Sequence, residues 1–438
     1  MKSSMRKVRT MPHTNNKMMN YGVEMQLQCT KCQRKTHIRQ MITTCDHCNG
    51  PLEYVLSGSY SGMQLQRNNL WRYFPLLPLE DQQNIISLGE GDSEIIELPE
   101  LSERLHHARL FLKLDCTKNP TGTFKDREAS IIISRCKELQ LDHLVFYSTG
   151  NTGRAYTHYA ASVGLTTYFF MPKECSYKNT AQIRKNKNNF IIFVDAHYPQ
   201  ISGYAKKFAS LNNLTAIAPL HDRTECYTTL AYEQHQQMPD CDYFVQTIAS
   251  GMGPIGFVKG HQHLIKFGLE TPQKMPRVIC VQSQETNFMY QAYQAGKQRM
   301  TEADLPSEFA DNLFEPTLNS TNPVNNYPAL YSCLQESNGL ITDAAPQDVL
   351  REGQAFLDAL ERRNIQLRSD LERSIMIGYT GLVKLAAEGH FSKGERLLLL
   401  GTGRGHDTSH ELLAPDMTVN LHSDDPVDVM RYLQRSAQ

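Results

Sequence analysis

The chain has 438 residues, 40% hydrophobic and 21% charged, and a net charge of −1 at pH 7. That is enough apolar material for a sizeable core and for roughly two to four domains, while the charge balance offers no basic stripe of the kind that holds nucleic acid. No apolar run approaches the ~18 residues of a membrane span and no signal-peptide core stands at the N-terminus, so no membrane partner is expected and the expected compartment is the cytoplasm.

Residues 1–22 carry Lys2, Arg6, Lys7, Arg9 and Lys17 with no acidic residue before the next segment, and read as a disordered basic tail. Residues 23–57 contain Cys29-x2-Cys32 and Cys45-x2-Cys48. Each pair fits a tight turn that aims two thiolates at one ion, and four sulfur ligands make the closed tetrahedral arrangement of a structural zinc, not a catalytic one. The expectation is a zinc ribbon held by Cys29, Cys32, Cys45 and Cys48. The other seven cysteines are scattered and read as small reduced core residues.

From residue 85 short apolar runs recur at Leu110–Leu114, Leu144–Tyr147, Thr167–Phe170, Phe190–Val194, Tyr243–Ile248, Val278–Val281 and Leu397–Leu400, with amphipathic stretches between many of them. Buried strands alternating with helices predict an α/β body with mostly parallel sheets covered on both faces. In such folds ligands sit where a strand hands over to a helix.

Four handovers carry chemistry. Asn119-Pro120-Thr121-Gly122-Thr123-Phe124-Lys125-Asp126-Arg127 is a loop that turns helical near Phe124, which puts Lys125 at a helix start. A lysine deprived of water there becomes a nucleophilic amine able to condense with an aldehyde. Ser148-Thr149-Gly150-Asn151-Thr152-Gly153 offers N–H and O–H donors suited to a carboxylate, although the same residues also suit an ordinary helix cap. Ser250-Gly251-Met252-Gly253-Pro254-Ile255-Gly256 suits a phosphate at a helix N-terminus. Its spacing also fits a dinucleotide fingerprint, and hence a nicotinamide-dependent oxidoreductase. The acidic residue wanted about 20 positions on is not convincing: Glu270 precedes the next strand and Glu285 is far along, so a monophosphate is preferred. Gly401-Thr402-Gly403 places the Thr402 hydroxyl at a strand end. A lysine, a carboxylate nest, a phosphate cradle and a strand-end hydroxyl together fit pyridoxal phosphate and an amino-acid substrate.

These loops resemble those of threonine synthase and, more broadly, of the fold type II (tryptophan-synthase-β) pyridoxal-phosphate enzymes; the resemblance spans about residues 25–410. It covers Gly89-Glu90-Gly91, Asn322-Pro323 and Glu372 as well, and relatives also carry a four-cysteine cluster. The resemblance implies two mostly parallel three-layer domains and a homodimer. It implies that Lys125 bonds the cofactor and moves the α-proton, that Phe124 and Asn151 contact its ring, and that Gly251, Met252, Gly253, Pro254, Ile255 and Gly256 hold its phosphate. Ser148, Thr149, Gly150, Asn151 and Thr152 would grip the substrate carboxylate. Thr402 would face the pyridine nitrogen, where a hydroxyl favours elimination or replacement over transamination.

The family's Asn-rich stretch with a phosphate-binding Arg reads Pro219-Leu220-His221-Asp222-Arg223 here. Arg223 matches, whereas the flanking asparagines are absent. The Gly150–Ala155 segment and the spacing of Arg223 to Glu233 resemble cysteate synthase. Two chemistries follow: threonine-synthase-like conversion of O-phosphohomoserine and water to threonine and phosphate, or β-replacement on O-phosphoserine or acetylserine. Arg223, Arg154 and Lys178 are the cations on offer to the leaving phosphate. A zinc-ribbon binding protein without catalysis is a third reading. The expected layout is the tail; the ribbon; a large cofactor domain at 58–130 and 223–425; a small mobile domain at 131–222; and a C-terminal tail at 426–438. The stretch Leu313–Pro328 reads as a long loop near the site mouth.

Overall fold

The computed structural model describes residues 22–39, 41–62, 64–178, 186–196, 198–216, 220–306, 313–320, 323–367, 372–405 and 414–436. The basic tail, except Gly22, and Asn322 lie outside them, as does the side chain of Lys178.

The ribbon is a three-stranded antiparallel sheet in the order β2-β1-β3, from β1 (Val23–Cys29), β2 (Lys35–Thr36) and β3 (Leu52–Gly58). In the body, strands follow in chain order as β4 (Ile95–Glu97), β5 (Arg109–Lys113), β6 (His143–Tyr147), β7 (Thr166–Pro172), β8 (Asn189–Val194), β9 (Thr215–Ala216), β10 (Tyr243–Thr247), β11 (Arg277–Ser283), β12 (Leu340–Ala344), β13 (Arg396–Leu400) and β14 (Met417–Val419). The helices are α1 (Asp115–Lys118), α2 (Lys125–Glu138), α3 (Asn151–Val163), α4 (Tyr198–Leu211), α5 (Leu220–Cys226), α6 (Thr228–Gln237), α7 (Met252–Lys266), α8 (Phe288–Gln294), α9 (Pro323–Glu336), α10 (Pro346–Glu361), α11 (Ser374–Ala387) and α12 (Pro426–Ser436).

Each apolar run is continuous because its strand is covered on both faces. In the larger sheet, ordered β12-β11-β10-β13-β5-β4 and parallel except for β4, Val245, Ile279 and Leu399 join one core with residues of α10 and α11. Their neighbours Phe244, Val278 and Leu398 join another with residues of α6, α7 and α9. The smaller sheet, ordered β14-β8-β7-β6-β9, repeats the arrangement. Phe146, Phe169 and Ile191 pack with α2 and α3, whereas Val145, Phe170 and Ile192 pack with α4 and α12.

Two expectations change. Residues 426–436 are not a tail: α12 buries Val429, Met430 and Leu433 against the smaller sheet, and β14 pairs in parallel with β8. The chain therefore returns to the smaller sheet after completing the larger one. The stretch read as a loop over 313–328 turns helical at Pro323, where proline's fixed φ suits the first turn of a helix. Among the described residues no helix is long and apolar enough to cross a membrane.

Candidate active site

The loop before α2 is fixed by its own polar groups. Asn119 donates to the Thr123 carbonyl at 3.0 Å and accepts from Gly91 N–H at 2.9 Å. Asp126 accepts from the Thr121 N–H at 3.0 Å. Across the loop, Phe124 N–H and the Thr123 hydroxyl both donate to the Thr402 carbonyl, at 3.0 and 2.9 Å. Two residues past Lys125, Arg127 is fully buried between Asp115 and Glu233, with contacts of 2.6 to 2.8 Å to four carboxylate oxygens. Lys113 adds a second cation 2.8 Å from Glu233.

Lys125 opens α2 and reaches a cavity of about 550 Å³ lined from both sheets. Its Nζ donates to the Tyr227 hydroxyl at 2.9 Å and lies 4.2 Å from the Phe124 ring centre. Burial pulls the amine down to about 8, against the opposing pull of Glu128 and with the help of Arg223. A useful fraction is therefore unprotonated near neutrality.

Opposite stands the N-terminus of α7. Gly251 caps it at φ +76°, a conformation glycine adopts without strain, and no side chain caps the helix. The first N–H groups of α7 have no intrahelical partner. Ser250, Gly251, Met252 and Gly253 line the cavity; Pro254, Ile255 and Gly256 do not. Pro254 has no N–H to offer. Gly256 serves packing instead. A Cβ there would stand 2.4 Å from the Thr224 carbonyl and 2.6 Å from the Tyr227 Cβ, so its absence lets α7 lie against the α5–α6 elbow.

A third wall is a hydrogen-bonded chain that joins both sheets' elements. Thr402 Oγ1 lies 2.9 Å from Ser374 Oγ, Ser374 donates to Glu372 at 2.9 Å, and Glu372 accepts from Asn151 Nδ2 at 3.0 Å on both oxygens. The resemblance implies that Asn151 donates to the cofactor ring; here its amide hydrogens face Glu372 instead. Among the described residues, Asn151 Oδ1 and Gln246 Oε1 are buried with no hydrogen-bond partner, and both residues line the cavity. Ser148, Thr149 and Thr152 also line it, whereas Gly150 shapes the turn from outside.

The cations separate. Arg223 lines the cavity and donates from Nε to Glu128 at 2.5 Å. Arg154 is buried and does not line the cavity; burial pulls its guanidinium down to about 9, against Glu372 and Asp126. Lys206 of α4 and Thr43 of the ribbon stand at the exposed rim. Sequence reasoning missed Gln246, Ser374, Thr43, Glu128 and Tyr227. Gln246 was visible as the polar residue inside an apolar strand, and Glu128 as the acid three residues from Lys125 on one helix.

Away from the cavity, the Sγ atoms of Cys29, Cys32, Cys45 and Cys48 all lie within 4.8 Å of one another. Cys29 and Cys48 are 3.4 Å apart at sulfur, and Cys32 and Cys45 are 3.7 Å apart. Zinc with bonds of about 2.3 Å to four sulfurs sets them about 3.8 Å apart, so the cluster is the right size for a metal ion. Its two turns carry Gln33 and Asn49 in left-handed backbone, each donating back to the carbonyl of the first cysteine of its pair.

The site residues fit pyridoxal phosphate: an amine, a bare helix N-terminus, and unpartnered amide oxygens in a cavity of adequate volume. Comparison with known proteins agrees. The model of the family described as pyridoxal-phosphate dependent enzyme matches residues 86–349. The chain is 25% identical to threonine synthase of Methanocaldococcus jannaschii over 424 residues, 92% of this chain and 96% of that one. It is likewise 25% identical to cysteate synthase of Methanosarcina barkeri over 404 residues, 87% and 92% of the two chains. Its fold resembles those of maize serine racemase (TM-score 0.57, 16% identity, 72% and 90% covered) and of diaminopropionate ammonia lyase from Escherichia coli (TM-score 0.58, 16% identity, 74% and 86% covered). The family model spans more than half of the chain, and with the lysine-lined cavity it establishes that the protein belongs to the pyridoxal-phosphate dependent enzymes.

Proposed function

We propose that the protein eliminates phosphate from an O-phosphorylated amino acid and adds a nucleophile at the carbon skeleton, as threonine synthase does with O-phosphohomoserine and water. The observation that carries this reading is the placing of two anion-binding features on one cavity: the bare α7 N-terminus and, separately, Arg223 with Lys206 at the rim. One suits the cofactor phosphate and leaves the other for a substrate phosphate. Bound there, the cofactor supplies the electron sink for bond-breaking at the amino acid's α-carbon. Lys125 Nζ carries the proton to and from that carbon. Ser148, Thr149, Thr152 and the turn at Gly150 hold the substrate carboxylate, Arg223 meets the leaving phosphate, and Thr402 fixes the ring edge through its pairing with Ser374. Closing of the smaller sheet's domain over the ring would exclude water not used in the reaction.

Incubation of the purified protein with O-phosphohomoserine, and separately with O-phosphoserine and sulfite, tests the reading through phosphate release. The expected result is phosphate and threonine from the first. Release from O-phosphoserine alone selects the β-replacement reading, which the likeness of Gly150–Ala155 and of the Arg223-to-Glu233 spacing to cysteate synthase supports. Release from neither removes both phosphorylated substrates and leaves acetylserine, tested by acetate release.

The same reading includes a zinc ion in the ribbon, a homodimer and a cytoplasmic place of action. Metal analysis is expected to give one zinc per chain. The Cys32→Ser variant is expected to lose it and to unfold the ribbon first, because few other interactions close a sheet this small. A metal content unchanged in that variant would exclude the site.

A further inference from the structure

Behind Lys125 stand Tyr227, Glu128 and Tyr156, which are buried, do not line the cavity and have no role in the family reading. Tyr227, at the elbow between α5 and α6, is fully buried and packs on the Phe124 ring with centroids 5.2 Å apart. Its hydroxyl receives the Lys125 N–H at 2.9 Å and donates to Glu128 Oε2. Glu128 has no exposed surface. It also accepts from the Tyr156 hydroxyl at 2.8 Å and from Arg223. The charged and titratable groups facing Lys125 are thus Glu128 on its own helix, Tyr227, Arg223 on α5 and Glu372 before α11, with Tyr156 of α3 and Cys226 of α5 set against Glu128 and Tyr227 behind them.

We propose that Tyr227, locked by Glu128, is a positioning residue that holds the Lys125 amine as a donor and so keeps its lone pair available to the cavity. This rests on the reading of Lys125 as the amine that meets the cofactor aldehyde. A phenol has one hydrogen. Burial works against the charge on Glu128, but Arg223 and Lys125 override it and hold the carboxyl below its usual range. Glu128 is therefore acceptor-only, and the Tyr227 hydrogen belongs to it. Burial, reinforced by Glu128, pushes Tyr227 well above the usual range, so it stays a phenol. Its oxygen can then only accept from Nζ. A free lysine chain has four carbons of rotation; anchored by one N–H, this one presents its nitrogen in one direction. Arg223 gains a second role: by countering Glu128, whose Oε2 is 3.9 Å from Nζ, it keeps that carboxylate from holding the ammonium proton in place.

The test uses the full chain freed of cofactor, with Y227F and E128Q. Two quantities are read: the rate at which added pyridoxal phosphate produces a visible band that borohydride removes, and the pH midpoint of Lys125 acetylation followed by peptide mass. In Y227F the ammonium loses an acceptor, so the midpoint falls by up to about one pH unit. Capture at neutral pH nevertheless slows by about tenfold, because orientation is lost although more free base is present. In E128Q the amide can donate to the phenol and turn the phenol hydrogen onto the amine lone pair, so capture slows as well. Loose folding alone would not move midpoint and rate in these directions together, and if Y227F does not fold, E128Q carries the test. Wild-type rate and wild-type midpoint in either folded variant overturn the proposal. Absence of the band in the unaltered chain overturns instead the aldehyde-binding reading beneath it.

Discussion

Lys125→Ala is expected to yield a folded but colourless protein. With pyridoxal phosphate added it should show no band that borohydride removes, and phosphate release from substrate should fall by about 10²–10⁴, the range expected when a positioned proton-transfer group is lost. The fold should survive because the Lys125 ammonium is held against the cost of its own burial, which draws it down to about 8. Truncation removes that cost along with one hydrogen bond to Tyr227. The control is internal, since Lys206 also lines the cavity at its exposed rim. A borohydride-sensitive band that persists in Lys125→Ala would transfer the role to another lysine and dismantle the proposed site.

Arg127→Met is expected to have the opposite profile, with damage to stability before chemistry. The guanidinium meets two carboxylates at once, and Asp115, Glu233, Arg127 and Lys113 all have side chains without exposed surface. Removing one partner of such a group leaves uncompensated buried charge and costs about 3–5 kcal/mol. The loss spreads, because Glu233 also fixes the Asp92 N–H at 2.8 Å. Burial opposes the Glu233 charge, yet Arg127 and Lys113 hold its carboxyl well below the usual value of 4.5. A depressed carboxylate contributes stability that is complete above that usual value and drains as pH falls below it. Melting curves of wild type and variant should therefore differ most near neutrality and converge on acidification. Equal melting temperatures near pH 7 would contradict the ion-pair account.

The sequence shows β5, β6, β7, β8, β10, β11 and β13 because each is packed within a covered sheet and so appears as a largely unbroken apolar run; the short edge strands β4 and β14, and β12 with its Thr342 and Asp343, give no such run. The loops that matter are legible for a related reason: a parallel sheet presents its ligand at strand ends, and the residues after Tyr147, Ile248 and Leu400 can simply be read off. Pairings between distant segments are not legible. Nothing local in Met417–Val419 says that it will join Asn189–Val194, and α12 reads as a tail because its packing partner lies more than two hundred residues earlier. Polar residues mislead in a second way. Arg154 and Arg223 look alike as available cations, yet one is buried out of reach of the cavity and the other is half turned toward Glu128. Gly256 completes a phosphate-binding pattern in the sequence and is a helix-packing position in the fold.

The ribbon's third strand carries Tyr54, which is buried and donates its hydroxyl to Asp222, the residue before Arg223. Thr43, from the ribbon's other arm, reaches the cavity rim. A module with the look of an appendage is thus a buttress for the helix that presents the Arg223 guanidinium to the cavity. By linkage, whatever tightens one end must tighten the other by the same factor. If zinc fills the ribbon as proposed, a saturating phosphorylated amino acid should raise the ribbon's equilibrium affinity for it, and removal of the metal should weaken the hold on that amino acid by the same factor without touching the lysine.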